Sequence, residues 1–286
     1  MTSSLFDPRQ CVLGEGPLWH PTRRQLFWFD ILGQRMLSRV GDEEFEWQFD
    51  EIVSAAGWTS DTTLLIASET QLFEFDLETD EQTYVAPLEI DNDATRSNDG
   101  RADPYGGFWI STMGKSGEQH AGSIYRYYRG EMRRLFPKIT VPNAICFAPD
   151  GATAYFSDTL SGQIQQVALD DHGWPTCDPS VFVDLRADGL LPDGAVTDAA
   201  GNLWNAQWGA ARVAGYTPQG TFIESFAFPA HNTSCPAFGG PDLTTMFCTS
   251  AQEHLSAETI KAEPANGQTF QTATPHKGWP EPQVIL

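Results

Sequence analysis

Four short polar motifs stand at nearly the same distance ahead of four similar apolar runs, and this offset limits what the chain can fold into more than any other feature. Glu15 in Gly14-Glu15-Gly16-Pro17, Asn98 in Arg96-Ser97-Asn98-Asp99-Gly100, Asn143 in Val141-Pro142-Asn143-Ala144 and Asp193 in Leu191-Pro192-Asp193-Gly194 are the polar residues. About ten to twelve residues after each come Leu26-Phe27-Trp28-Phe29-Asp30, Phe108-Trp109-Ile110-Ser111, Ala154-Tyr155-Phe156-Ser157-Asp158 and Leu203-Trp204-Asn205. A fixed offset recurring along a chain marks internal repeats. If the repeats form a ring, equal register means equal height, and the four oxygen-bearing side chains meet on one axis.

The stretches between the motifs break into short strands separated by turn residues. Residues 44–49 alternate cleanly, with Phe45, Trp47 and Phe49 on one face and Glu44, Glu46 and Gln48 on the other. Six units of about 38 to 48 residues, each with up to four strands, fit an all-β, six-bladed β-propeller better than a sandwich. The second unit carries Ala at the register position. Residues 5–13 have no hairpin partner and are expected to form an outer strand that closes the ring against C-terminal sequence, since an open sheet edge invites aggregation. Residues 253–262 are expected to form a short helix in the sixth unit, and Gly267-Gln268-Thr269-Phe270 its third strand. No linker or shift in composition divides the chain, which is read as one domain spanning 1–286.

Charge narrows the partners. The chain carries 17 basic against 38 acidic residues, a formal net charge of -21. Such a surface repels phosphate backbones and anionic lipid, which argues against nucleic acid and membranes as partners. The five cysteines are odd in number and widely spaced, which fits small buried hydrophobes rather than disulfides. The N-terminus lacks a basic region followed by an apolar stretch, and no apolar run approaches the ~18 residues of a membrane span. A reducing cytoplasm is the expected compartment. The sequence does not encode an oligomeric state in any legible form.

Two carboxylates and two amides converging at a channel mouth make an all-oxygen constellation, which suits Ca²⁺, Mg²⁺ or Mn²⁺. Zn²⁺ would usually bring His or Cys, and neither occupies the register. The same motifs also read as ordinary turns, because Asn-Asp-Gly and Pro-Asp-Gly are common turn sequences. Arg96, two residues before Asn98, either reaches the same mouth as a planar donor to a hydroxylated or anionic ligand, or forms a surface ion pair.

Taken in order, Leu13-Gly14-Glu15-Gly16-Pro17-Leu18-Trp19, Arg96-Ser97-Asn98-Asp99-Gly100-Arg101-Ala102-Asp103, Gly107-Phe108-Trp109-Ile110-Ser111-Thr112-Met113, Asn143 with Ser157-Asp158-Thr159, and Pro192-Asp193-Gly194 with Gly201-Asn202-Leu203-Trp204 resemble the senescence-marker-protein/gluconolactonase/luciferin-regenerating-enzyme-like family. The resemblance spans roughly residues 10 to 250. It implies a six-bladed propeller that hydrolyses an aldonolactone of the gluconolactone, arabinonolactone or xylonolactone type with one divalent metal. On that resemblance Glu15, Asn143 and Asp193 are the metal ligands, Arg96 and Asn98 contact the sugar lactone, and Asp193 is the general base. The metal is expected to be Ca²⁺, with Zn²⁺, Mn²⁺, Mg²⁺ or Fe²⁺ as alternatives. The segment after Met113, Gly114-Lys115-Ser116-Gly117-Glu118-Gln119, departs from the family, and no contact is carried over from it. Two rival readings are a calcium- or sugar-binding propeller without turnover, and a metal-dependent esterase or phosphotriesterase. A third, a WD-type interaction propeller, lacks its Trp-Asp and Gly-His markers.

Overall fold

The innermost strand of every repeat is flanked by its successors in sequence, so hairpin after hairpin builds one sheet outward from a common axis. The computed structural model describes residues 2–286; Met1, the first residue of the expected domain, lies outside the described residues. Six four-stranded antiparallel sheets result. The inner strands are Gly14–His20, Val53–Trp58, Thr95–Ala102, Pro142–Phe147, Leu191–Thr197 and Asn232–Gly239, heading blades one to six. Each packs against the inner strand of the next blade, and that of blade six against that of blade one, which closes a six-bladed β-propeller.

Closure is made by the N-terminus. Ser4–Asp7 pairs antiparallel with Thr269–Ala273 and becomes the outer strand of blade six. The strand is shorter than the expected 5–13 because Pro8 cannot donate to the ladder and the chain leaves the sheet there. Asp7 is fully buried and holds Arg9 and Arg39 at 2.9 and 2.8 Å, tying the closing strand to blade one.

The core is divided as the sequence pattern requires. Six apolar clusters form, each joining neighbouring blades: Phe27, Phe29 and Met36 meet Ile66, Phe73 and Phe75 between blades one and two, and Trp19, Trp28 and Leu37 meet Ala237 and Phe247 between blades one and six. The scattered aromatic residues are therefore inter-blade packing. Four cysteines are buried hydrophobes as expected; Cys177 is exposed, because it lies in the turn-rich loop ahead of the outer strand Ser180–Asp184 of blade four. The expected helix shortens to Ala257–Ala262, capped by Ser256, whose side chain accepts from the Thr259 amide at 3.1 Å. Among the described residues no helix is long and apolar enough to cross a membrane.

Candidate functional site

Each inner strand is interrupted at the same height by a β-bulge. The pairing register slips between Glu15 and Leu18, Val53 and Ala55, Ser97 and Gly100, Asn143 and Cys146, Pro192 and Ala195, and Thr233 and Pro236. A bulge bends its strand and re-aims the side chain it carries. The turn-like sequences at these positions are the bulges themselves. Gly16 takes φ +56° and Ala144 φ +58°, so the residues just after Glu15 and Asn143 share the left-handed conformation that the bulge demands.

The bulges aim Glu15, Arg96, Asn98, Asn143 and Asp193 into one cavity of about 380 Å³ at one end of the ring axis. All five side chains are buried. A larger hollow of about 680 Å³ opens beside Phe182 and Phe222 between blades four and five, but its acids, Asp184 and Asp188, sit on an outer strand and a short 3-10 turn, and its Arg212 on the third strand of blade five, away from the ring axis. The convergent polar side chains are those of the central cavity.

A hydrogen-bond chain crosses its floor. Arg96 Nη1 donates to Asn98 Oδ1 at 2.8 Å; Asn98 Nδ2 donates to Asn143 Oδ1 at 3.0 Å and to the Pro142 carbonyl at 2.9 Å. Asn143 Nδ2 donates to Thr159 Oγ1 at 2.9 Å, which donates to the Pro192 carbonyl at 2.8 Å. The chain ends beside Asp193 and fixes which amide atoms face the cavity: Asn143 keeps one Oδ1 lone pair free. Beneath it, Asp99 accepts from the Ile145 amide at 2.7 Å and so clamps the bulge that presents Asn143. Arg96, read from sequence as either a ligand donor or a surface ion pair, is buried with no carboxylate within ion-pair distance among the described residues.

The electrostatics are those of crowded acids. Burial, then the nearby Asp99 carboxylate, pushes Glu15 up to about 8. Burial, then the charges of Glu15 and Asp99, holds Asp193 well above the ordinary carboxylate range. Burial raises Asp99 to about 6, and burial pulls the Arg96 guanidinium down. Two carboxylates that cannot comfortably ionise together, with a free amide oxygen beside them, fit a divalent cation: it would neutralise both charges and accept oxygen donors. Among the described residues no three His, Cys, Asp or Glu side chains gather into a metal cluster, consistent with a donor set in which the third member is an amide.

The rim holds residues that the register argument does not reach. Glu253 and His254 come from the chain after blade six's second strand, Trp208 from the end of blade five's second strand, and Lys115 and Ser116 from the blade-three insertion. Loops deliver most of them, so no repeat offset signals them. Thr159 was visible only as part of the Ser157-Asp158-Thr159 motif, without a role.

Comparison with known proteins places this geometry. The family model described as the SMP-30/Gluconolactonase/LRE-like region matches residues 13–252. An L-arabinolactonase of Azospirillum brasilense is 32% identical over 284 residues, covering 96% of this chain and 92% of the relative. A 6-deoxy-6-sulfogluconolactonase of Pseudomonas putida is 31% identical over 274 residues, covering 95% and 94%. The crystal structure of a calcium-binding protein, regucalcin, from Agrobacterium tumefaciens str. C58 matches with a TM-score of 0.97 at 39% identity, covering 100% of this chain and 98% of that one.

Proposed function

Because this chain belongs to the SMP-30/Gluconolactonase/LRE-like family, we propose that it is a sugar lactonase that opens an aldonolactone to the sugar acid with one divalent cation. The observation that carries the reading is the convergence of Glu15, Asn143 and Asp193 in one cavity, two crowded carboxylates and an amide oxygen. Two relatives named as lactonases of sugar acids, each similar along nearly the whole chain, support the substrate class.

Glu15, Asn143 and Asp193 would hold the cation, and Ca²⁺ fits the all-oxygen donor set best. Bound there, a divalent cation supplies Lewis-acid polarisation of the ester carbonyl and compensates the charge that develops on its oxygen. The rest falls to the chain's own residues. Asp193 takes a proton from the attacking water as general base, its carboxylate lying in the same cavity as the other cation ligands. The water oxygen bonds to the carbonyl carbon, the ring C–O bond breaks, and the proton passes to the departing ring oxygen. Arg96 lines the cavity and has Nε and Nη2 free of protein partners among the described residues, so these are the donors it would offer the substrate. Asn98 spends both amide hydrogens on Pro142 and Asn143. Its part is to hold Asn143 in place, with one Oδ1 lone pair left for a substrate hydroxyl.

A pH-stat assay with gluconolactone, arabinonolactone and xylonolactone, with and without chelator, tests the reading. Turnover that is lost with chelator, and lost in a folded Asp193→Asn variant, is expected. Near-native turnover in Asp193→Asn removes Asp193 from the mechanism, and cation or sugar binding without turnover in the wild type makes the protein a binding propeller.

A further inference from the structure

Two blades add nothing from their inner strands to the cavity. In blade two the Ser54 hydroxyl donates to Ser97 Oγ at 2.8 Å, and in blade six the Ser234 hydroxyl is turned to the Gly14 carbonyl and Thr249. Blade six instead sends Glu253 to the rim. The backbone there is pinned on both sides: the Glu253 amide donates to the Val12 carbonyl at 2.9 Å, and its own carbonyl accepts from Asn232 Nδ2 at 2.9 Å. The adjacent Gln252 amide donates to the same Val12 carbonyl at 3.0 Å.

The Glu253 carboxylate, by contrast, accepts no hydrogen bond among the described residues, and the basic side chain nearest to it is that of His254, with Nε2 at 4.0 Å. A carboxylate carried on a fixed backbone, facing a cavity and left without donors, is an acceptor held ready for a ligand. Arg96 belongs to blade three, half-way round the ring. After the cost of its own burial, the strongest influence on its guanidinium is the Glu253 charge, yet the two make no ion pair. Arg96 from blade three and Glu253 from blade six therefore line one cavity, the first with free donors and the second with free acceptors, and no ion pair joins them. A polyhydroxylated ring satisfies both at once; an unadorned lactone has oxygens to accept from Arg96 but no hydroxyl to donate to Glu253.

We propose that Glu253 is a specificity-determining residue that accepts hydrogen bonds from the substrate's hydroxyls on the side of the cavity opposite Arg96. The proposal rests on the sugar-lactonase reading for its substrate class and goes beyond it by assigning the residue that selects hydroxylated lactones over bare ones. Glu253 takes no part in the bond-breaking step, so its effect falls on substrate binding.

The test compares wild type with Glu253→Gln and Glu253→Ala on gluconolactone, arabinonolactone and γ-butyrolactone. In Glu253→Ala, KM for the two sugar lactones is expected to rise about tenfold or more, the loss of a hydrogen bond to a charged acceptor. The amide of Glu253→Gln still accepts, and the rise there is smaller. In both variants kcat stays within about threefold, and KM for γ-butyrolactone within about twofold, of wild type. An equal loss on γ-butyrolactone, or no change on any lactone, overturns the assignment. An NMR titration with D-glucitol, run on the same proteins, reads Glu253 without turnover. About tenfold weaker binding in Glu253→Ala is expected; equal binding in variant and wild type, or none in wild type, overturns it. A wild type that binds glucitol through Glu253 but hydrolyses no lactone sinks the lactonase reading and leaves Glu253 standing. An active wild type with an unaffected Glu253→Ala does the reverse.

Discussion

Removing the carboxylate of Glu281 should destabilise the whole ring, although it lies at the end of the axis opposite the cavity. The C-terminal segment 277–286 has no regular structure, yet it is bonded across that end from blade to blade. Lys277 accepts from the Ala199 amide at 2.8 Å, Trp279 Nε1 donates to Thr197 Oγ1 at 2.9 Å, and the Glu281 carbonyl accepts from Trp58 Nε1 at 2.8 Å. Val284 and Ile285 donate to the Trp58 and Gly106 carbonyls at 2.9 and 2.8 Å. Midway along, Glu281 pairs with Arg101 of the blade-three inner strand, and each side chain is only 9% exposed. Burial raises the Glu281 carboxyl, the Arg101 guanidinium counteracts that rise, and the Arg101 guanidinium is itself held above its ordinary range by Glu281. Truncating one partner of such a pair leaves an uncompensated buried charge, a cost of ~3–5 kcal/mol. At roughly 2 °C per kcal/mol for a chain of this size, the melting temperature of Glu281→Ala should fall by about 6–10 °C. Calorimetric melts at pH 7 of Glu281→Ala and of the double variant Arg101→Met/Glu281→Met read this out. The double variant should recover much of the loss, because it leaves no orphan charge. A Glu281→Ala melt within about 2 °C of wild type, or a double variant no more stable than the single, would refute the reasoning.

Other perturbations bear on the site and on closure. A Cβ at Gly16 would lie 2.4 Å from the Ser54 carbonyl, on a backbone at φ +56°, so Gly16→Ala should cost about 2 kcal/mol or more and weaken cation binding by displacing Glu15, read by thermal melts and calorimetric titration. Without a cation, native Asp99 and Glu15 hold their protons up to about 6 and about 8, well beyond their ordinary values of 3.8 and 4.5. The native state then binds more protons than the unfolded chain between about pH 4 and 8, so the melting temperature of chelator-treated protein should drop as pH rises through that window, and Ca²⁺ at pH 8 should restore it; a rise with pH contradicts the assignment. Deleting residues 2–7 bares the Thr269–Ala273 edge and should give concentration-dependent association by light scattering.

What the sequence made legible was the part governed by repetition. A constant offset between a polar residue and an apolar run can be counted without knowing the fold, and it anticipated both the six blades and the meeting of Glu15, Asn98, Asn143 and Asp193 in one cavity, whereas it leaves Arg96 open between that cavity and a surface ion pair. The ambiguity between ligand motif and turn was physical, because a bulge asks for the same Gly and left-handed residues that a turn does; Gly16 and Ala144 serve bulges inside strands. Outer strands were harder to see. Glu131–Ile139 and Ser180–Asp184 are mostly exposed on the rim of the ring, and little apolar patterning is needed to hold them. The tail around Glu281 and the rim residue Glu253 were not legible at all. Both act through backbone bonds and single charges placed by loops, which leave no period in a sequence.

The central claim is that Glu15, Asn143 and Asp193 together hold one divalent cation. Calorimetric titration of Ca²⁺ into chelator-stripped wild type, Glu15→Gln and Asp193→Asn tests it most directly. One site in wild type, weakened at least ~100-fold in each variant, is expected from the loss of a charged oxygen ligand; no site in wild type, or unchanged affinity in both variants, would contradict it.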